Sequence, residues 1–379
     1  MQLIKKKERL GNIAFYIGMT IHLLLMVVGF GDWGMPLHGR LMQIAFLFFC
    51  IKILMTYYSK AEWLSMVILG SLGVLSYIGT GDEYVVSVIV MIFAAKSVDI
   101  RQVCKWIFLV ALIFTVGTAV LSLCGIGGIP VDIRDYGRGG EEARWCLGFG
   151  HANNLHGTVW YLTALFTFLY FEKMDWRHYL ILSIGNVALY YFTISKGGLI
   201  ATQLVILAAF VLHYIKALQK QAWIYGCGVL GILGVFFISM ISVSVEWLKS
   251  PILMLLDRLF TGRINLAYQH AHISMWKLIS CAGEFGDTVD NGWVTMFFQY
   301  GYVVGILFVL FHLYLVYRTW KEKNGILLVL VITCVFYTFM EATYAVNNSY
   351  LLSNLCYIAA MIFIAGKKEL KNEPGELKD

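Results

Sequence analysis

The sequence predicts an all-α, polytopic membrane protein with about twelve transmembrane helices and two long outer loops. Three observations predict it. Of the 379 residues, 59% are hydrophobic and 14% are charged, and the mean hydropathy is +0.73. Soluble domains carry about 25% charged residues. The apolar residues fall in runs near the roughly 20 that one helix needs to cross a bilayer. Basic residues then collect at alternate ends of those runs.

Taken in order, runs bounded by polar punctuation place helices at 11–31, 37–57, 62–79, 83–98 and 103–125. Four more follow at 154–171, 179–195, 198–216 and 223–245, and three at 293–317, 325–343 and 350–365. The first run follows Lys5-Lys6-Lys7. It is too long for the apolar core of a cleavable signal and lacks a small-residue cleavage site. Residues 1–365 read as a single transmembrane domain. The charged stretch 366–379, with Pro374-Gly375, reads as a solvated cytoplasmic tail. No internal repeat, low-complexity segment or GxxxxGK[ST] phosphate loop occurs.

With the N-terminus inside, the inner segments hold nineteen of the 29 lysines and arginines, and the outer segments hold eight. That bias puts both termini in the cytoplasm. The net charge of +6 is then an orientation signal and does not point to a nucleic-acid partner. Both long connections, 126–153 and 246–292, face outward, and binding or chemistry is expected there.

The outer cations cluster in those two loops, together with Lys196 and Arg40. Arginine's planar fork suits phosphate oxygens. The same cations also fit snorkelling to headgroups, or pairing with Asp132, Asp135, Glu141, Glu142, Asp257 and Glu284. In the second loop, Leu255, Leu256, Leu259 and Phe260 form an apolar stripe before Thr261-Gly262-Arg263. Two short amphipathic helices are expected on the membrane surface, broken at Thr261-Gly262, with Thr261 as N-cap. Arg263 and backbone N–H groups would then converge on one anion site. In the other loop, Gly148 and Gly150 allow close turns before His151 and Asn153. A lone histidine there fits a hydrogen-bonding role or a substrate role. Asp290 precedes 293–317 and fits either a proton acceptor or, with Asn291, a helix cap. Glu341 is a further carboxylate of the same kind, or an interhelical hydrogen-bonder.

Of eight cysteines, most sit in apolar runs as small hydrophobes, and none forms CxxC. Cys146 and Cys281 fall in polar loops, where free thiols are favoured over a bridge. His151, His156, His270 and His272 lack a metal-ligand spacing, so no metal is expected.

At this point the chain resembles a family. The ordered set comprises Arg144, Gly148-Phe149-Gly150-His151-Ala152-Asn153, Ser195-Lys196-Gly197-Gly198-Leu199 and Thr261-Gly262-Arg263. It continues with Asp290-Asn291-Gly292-Trp293, Gln299-Tyr300-Gly301-Tyr302-Val303-Val304-Gly305, and Glu341 with Asn347. It resembles the O-antigen polymerase and ligase superfamily, in particular the Wzy-type repeat-unit polymerases. Ala152 stands where members often carry proline, and Lys196 where they often carry arginine. Asp290 stands where ligase-type members carry histidine, which favours a polymerase.

The resemblance implies an inverting, GT-C-like glycosyltransferase of the bacterial plasma membrane. Its substrate would be an undecaprenyl-diphosphate-linked oligosaccharide, polymerised into surface polysaccharide on the outer face. Membrane lipids and a chain-length regulator would be its other partners. An acceptor hydroxyl would attack C1 of the donor sugar while the lipid diphosphate leaves. Arg144, Arg258 and Arg263, with Lys196 behind them, would stabilise that diphosphate. Asp290 would be the general base, with His151 its rival. Asn153, Asn291 and Glu341 would hold sugar hydroxyls, and Trp145, Trp293 and Tyr136 would stack on sugar faces or serve as interfacial aromatics. No DxD motif marks the first outer turn, which has only Asp32, so a cofactor-free, metal-independent transfer is expected. The alternatives are a ligase moving finished polymer to another acceptor and a flippase for the lipid-linked sugar.

Overall fold

The computed structural model describes residues 2–28, 35–135, 140–260, 262–279 and 289–342. The expected helix 350–365 and tail 366–379 lie outside these residues. So do Tyr136, Arg138, Thr261, Cys281, Glu284 and Asn347.

The first half comprises α1 (Gln2–Val28), α2 (Met35–Met55), α3 (Lys60–Thr80), α4 (Tyr84–Ala94) and α5 (Ile100–Leu123). After a hairpin come α6 (Ala152–Tyr170), α7 (Trp176–Thr193), α8 (Lys196–Tyr214) and α9 (Ala222–Ser244). The short α10 (Pro251–Leu259) and α11 (Arg263–His270) precede α12 (Gly292–Phe298), α13 (Gly301–Glu322) and α14 (Gly325–Met340). Local chemistry sets many of the ends. Ser59 and Glu62 form a capping box on α3, and Asp99, Ser195, Asn291 and Asn324 cap α5, α8, α12 and α14.

Among the described residues, five helices, α3, α5, α8, α9 and α13, are long and apolar enough to cross a membrane. Leu64, Val67 and Ile78 of α3 and Ile113 and Leu123 of α5 stay exposed. Apolar surface on that scale needs a lipid solvent. The chain is therefore an all-α membrane protein in its dominant architecture. α4 has 11 residues and so spans about 16 Å, half a hydrocarbon core.

Two elements depart from the expectation. The outer loop 126–153 carries an antiparallel hairpin, β1 (Val131–Asp135) with β2 (Glu141–Trp145), in which Asp132 faces Arg144. Its charged residues hid the two-residue period that signals a strand. The apolar run 293–317 is two helices, broken at Gln299-Tyr300. Gly301 takes φ +86°, and the N–H groups of Tyr302 and Val303 go to the carbonyls of Lys277 and Leu278. The break leaves Gln299 and Tyr300 free to reach Asp82 in the α3–α4 turn, at 3.1 and 2.6 Å.

α14 is the hub. It packs on α6, α8, α9, α12 and α13, and Trp160 stacks on Tyr337 at 4.6 Å between ring centres. α11 rests on α9. This packing gathers one end of α6, α11, α12 and α14 at a single place.

Candidate functional site

Arg263 is the first residue of α11 and is the centre of that place. Its side chain is only 9% exposed. Nη2 donates to Glu341 Oε1 at 2.7 Å, and Nη1 lies 3.2 Å from Asp290 Oδ2. Asn153, at the start of α6, donates to the same Glu341 oxygen at 3.0 Å. Four segments of the chain therefore meet around the Arg263–Glu341 pair. Its Nε and Nη1 find no hydrogen-bond acceptor among the described residues. Both nitrogens are buried, and Nη1 is held by Asp290 as an ion pair, which leaves Nε as the unengaged donor.

The charges are unevenly set. Burial opposes the charge of Arg263, but Glu341 and then Asp290 hold it more firmly protonated than usual. Glu341 lies just beyond the last turn of α14. Burial pushes its carboxyl up to about 7, against the pull of Arg263. The push prevails because desolvation is the largest effect, and Asp290 adds repulsion to it. Asp290 is 46% exposed and keeps a hydrated face.

His151 caps α6. Its Nδ1 accepts from the N–H of Asn153 at 3.1 Å. Burial, then Arg134 and Arg144, push its pKa below 6.5, opposed by Asp132 and Asp290. A neutral ring with Nδ1 accepting carries its proton on Nε2. His151 is thus arranged as a hydrogen-bond donor and has no lone pair for a base. Its electrostatic neighbours also tie the hairpin to the Asp290 side of the site.

The other expected residues fall differently. Arg144 is buried in β2 and paired with Glu142, through Nε at 3.0 Å and through Nη2. Arg258 and Lys196 are exposed, and no ion pair joins them to the cluster around Arg263. The anticipated anion site at the N-terminus of α11 is filled by the chain itself. Asp257 Oδ1 accepts the N–H of Asn265 at 2.9 Å, and Gly262, at φ +84°, occupies the N-cap position expected for Thr261. Asn291 is 2% exposed, with Oδ1 on the N–H groups of Trp293 and Val294 and Nδ2 on Ser239. The cap reading applies, and the amide is not free for sugar. Trp293 is fully buried, donating to Val335 O at 3.2 Å, so it has no face for stacking. Trp145 is 38% exposed, edge-on to Phe192. Cys146 is a buried free thiol whose Sγ donates to Ile129 O.

Sequence reasoning missed one polar network. His156, wholly buried in α6, bonds Thr193 at 2.8 Å and Asn186 at 2.9 Å, and Asn186 goes on to Gln203 and the carbonyl of Leu199. Gly198 makes room for it, since a Cβ there would lie 2.5 Å from the His156 ring. The only available signal was the polar residues scattered within apolar runs.

A cavity of about 330 Å³ opens between α3, α4, α12 and α13, and its lining is apolar apart from Tyr84 and Tyr314. Along α13 it runs from Val304 to Tyr314, about 15 Å. Met296 of α12 reaches it, one turn beyond Gly292 at the start of that helix.

Comparisons with protein-family models, with curated proteins and with solved structures yielded no match to this chain.

Proposed function

We propose that the chain is a membrane-embedded glycosyltransferase that polymerises oligosaccharide units carried on a polyprenyl diphosphate, as the Wzy-like sequence pattern implies. The observation that carries the reading is Arg263 held between Asp290 and Glu341, with Nε unbonded among the described residues. A carboxylate supplies a base for an acceptor hydroxyl, and a guanidinium beside it stabilises a departing phosphate oxygen. The apolar cavity that meets α12 fits the hydrocarbon chain of such a donor. In this reading the termini are cytoplasmic, twelve helices cross the membrane in a GT-C-like arrangement, and the cluster faces outward.

The geometry changes the division of labour. Two carboxylates on one arginine leave that spot with no net positive charge while both are ionised. Diphosphate binding at Arg263 therefore requires a proton on Glu341 or a swing of Asp290 into water. Glu341, desolvated and oriented by Asn153 and Arg263, is the better-placed base, and Asp290 is the movable gate. Arg144 acts through the hairpin and His151, while Arg258 and Lys196 stand outside the reacting centre.

The test is complementation of a strain lacking the polymer. Arg263→Ala, Glu341→Gln and Asp290→Asn should each leave single lipid-linked repeats in place of chains. Full-length polymer from all three would defeat the reading. A flippase is the second reading, favoured by the buried His156–Asn186–Gln203 network, since polar residues inside a membrane bundle often mark transport paths. Repeats trapped on the inner leaflet would select it, and accumulated long lipid-linked polymer would select a ligase.

A further inference from the structure

A second cavity, of about 620 Å³, lies between α1 and α5, away from the cluster described above. We propose that it binds one anionic phospholipid, from the leaflet at the N-terminal end of α1. That leaflet is cytoplasmic in the proposed orientation, but the inference does not depend on the enzymatic reading.

The argument starts from the two ends of the cavity. One end is cationic. Lys105 and Gln102 of α5 are three residues apart, so they share a face within the first two turns of the helix. Lys105 is exposed and makes no ion pair or hydrogen bond among the described residues. On α1, Arg9 precedes the lining residue Ile13 by one turn and heads the same face, also exposed. The nearest acidic group at the start of α5, Asp99, is engaged as the helix cap on the N–H of Gln102 at 2.8 Å. Arg9, Lys105 and an amide donor thus stand at that end, beside the carboxylates of Asp99 and Glu8.

The rest of the cavity is apolar and held open. Ile17, Ile21 and Leu109 form its walls. From Arg9 to Ile21, α1 rises about 18 Å, enough to follow much of one acyl chain. Trp106 donates from Nε1 to Thr20 at 3.0 Å and meets Tyr16 edge-on at 5.6 Å between ring centres. These contacts tie α1 to α5 across the cavity and fix its width. Basic pockets between membrane helices on the cytoplasmic side suit anionic headgroups. The α4–α13 cavity has no cation in its lining, so the two sites differ in the lipid they take.

The experiment uses the full chain in nanodiscs of phosphatidylcholine with phosphatidylglycerol as the probe, read by native mass spectrometry. The wild type should retain one phosphatidylglycerol. The double variant Arg9→Gln/Lys105→Gln should bind it roughly thirty-fold more weakly, from about 1 kcal/mol per surface cation. Ile17→Trp, which narrows the apolar groove and keeps both cations, should weaken it as well. Lys60→Gln, an exposed lysine at the start of α3, should retain it. Equal retention by the wild type and the double variant would overturn the proposal. So would equal loss in Lys60→Gln, which would indicate a diffuse surface field. Both exposed positions can change without disturbing the fold, which an unchanged melting midpoint in phosphatidylcholine alone would verify.

Discussion

Arg263 and Glu341, 78 residues apart in sequence, are joined by a 2.7 Å hydrogen bond where α11 meets the end of α14. The bond is shared, because Asn153 donates to the same carboxylate oxygen and Asp290 draws on the same guanidinium.

The first prediction concerns pH. If Glu341 is the base, it must be ionised to act. Its pKa stands at about 7, so turnover should be lost as pH falls through that value and should level off above it. A rate that stays flat between about pH 5.5 and 8.5 would rule the role out. Glu341→Gln should abolish turnover at every pH while leaving lipid-linked substrate bound.

Arginine geometry provides the second. Arg263→Lys keeps a charge but cannot bridge Asp290 and Glu341 together. Polymer formation should fall at least tenfold with the protein still folded. Arg263→Ala should also lower thermal stability, since breaking a buried ion pair costs about 3–5 kcal/mol. Melting curves in detergent separate the two effects.

Exposed cations form the third. Arg258→Ala and Lys196→Ala should change polymer length less than threefold in complementation assays, because neither side chain joins the cluster. A loss as complete as that of Arg263→Ala would show that the loops rearrange around substrate.

A fourth rests on close packing. Gly198→Ala would ordinarily favour a helix. Here the new Cβ would lie 2.5 Å from the His156 ring, so the change should cost about 1–3 kcal/mol. His156→Ala in the same chain should recover part of that loss, as a double-mutant cycle of melting temperatures would reveal.

The last concerns Asp82 and Tyr300, whose 2.6 Å bond ties the α3–α4 turn to the α12–α13 break. Tyr300→Phe should lower stability by about 1.5–3 kcal/mol, the worth of a bond to a charged group. It should also loosen the mouth of the apolar cavity beside Tyr84, which stacks on Tyr300 at 5.7 Å.

Much of this molecule was legible beforehand, for reasons that differ by element. α3, α5, α8, α9 and α13 were readable because spanning a bilayer demands long apolar runs, whatever the partners. α10 and α11 were readable from an apolar stripe at helical spacing. The hairpin at 131–145 was not, since two short charged strands carry almost no periodic signal. Nor was the break at Gln299-Tyr300, whose partners Asp82, Lys277 and Leu278 come from other parts of the chain.

The site divides in the same way. Composition and charge placement established a membrane protein, and loop position with the family resemblance put Arg263, Asp290, Asn153 and Glu341 among its candidates. Those are properties of each residue and its immediate neighbours. Which candidates meet was settled by the packing of α6, α11, α12 and α14. That packing joined Glu341 to Arg263, set Arg144 against Glu142, and turned Asn291 into a cap. A carboxylate's proton affinity depends on the charges and solvent within a few ångströms of it, and only the folded chain brings those distances about.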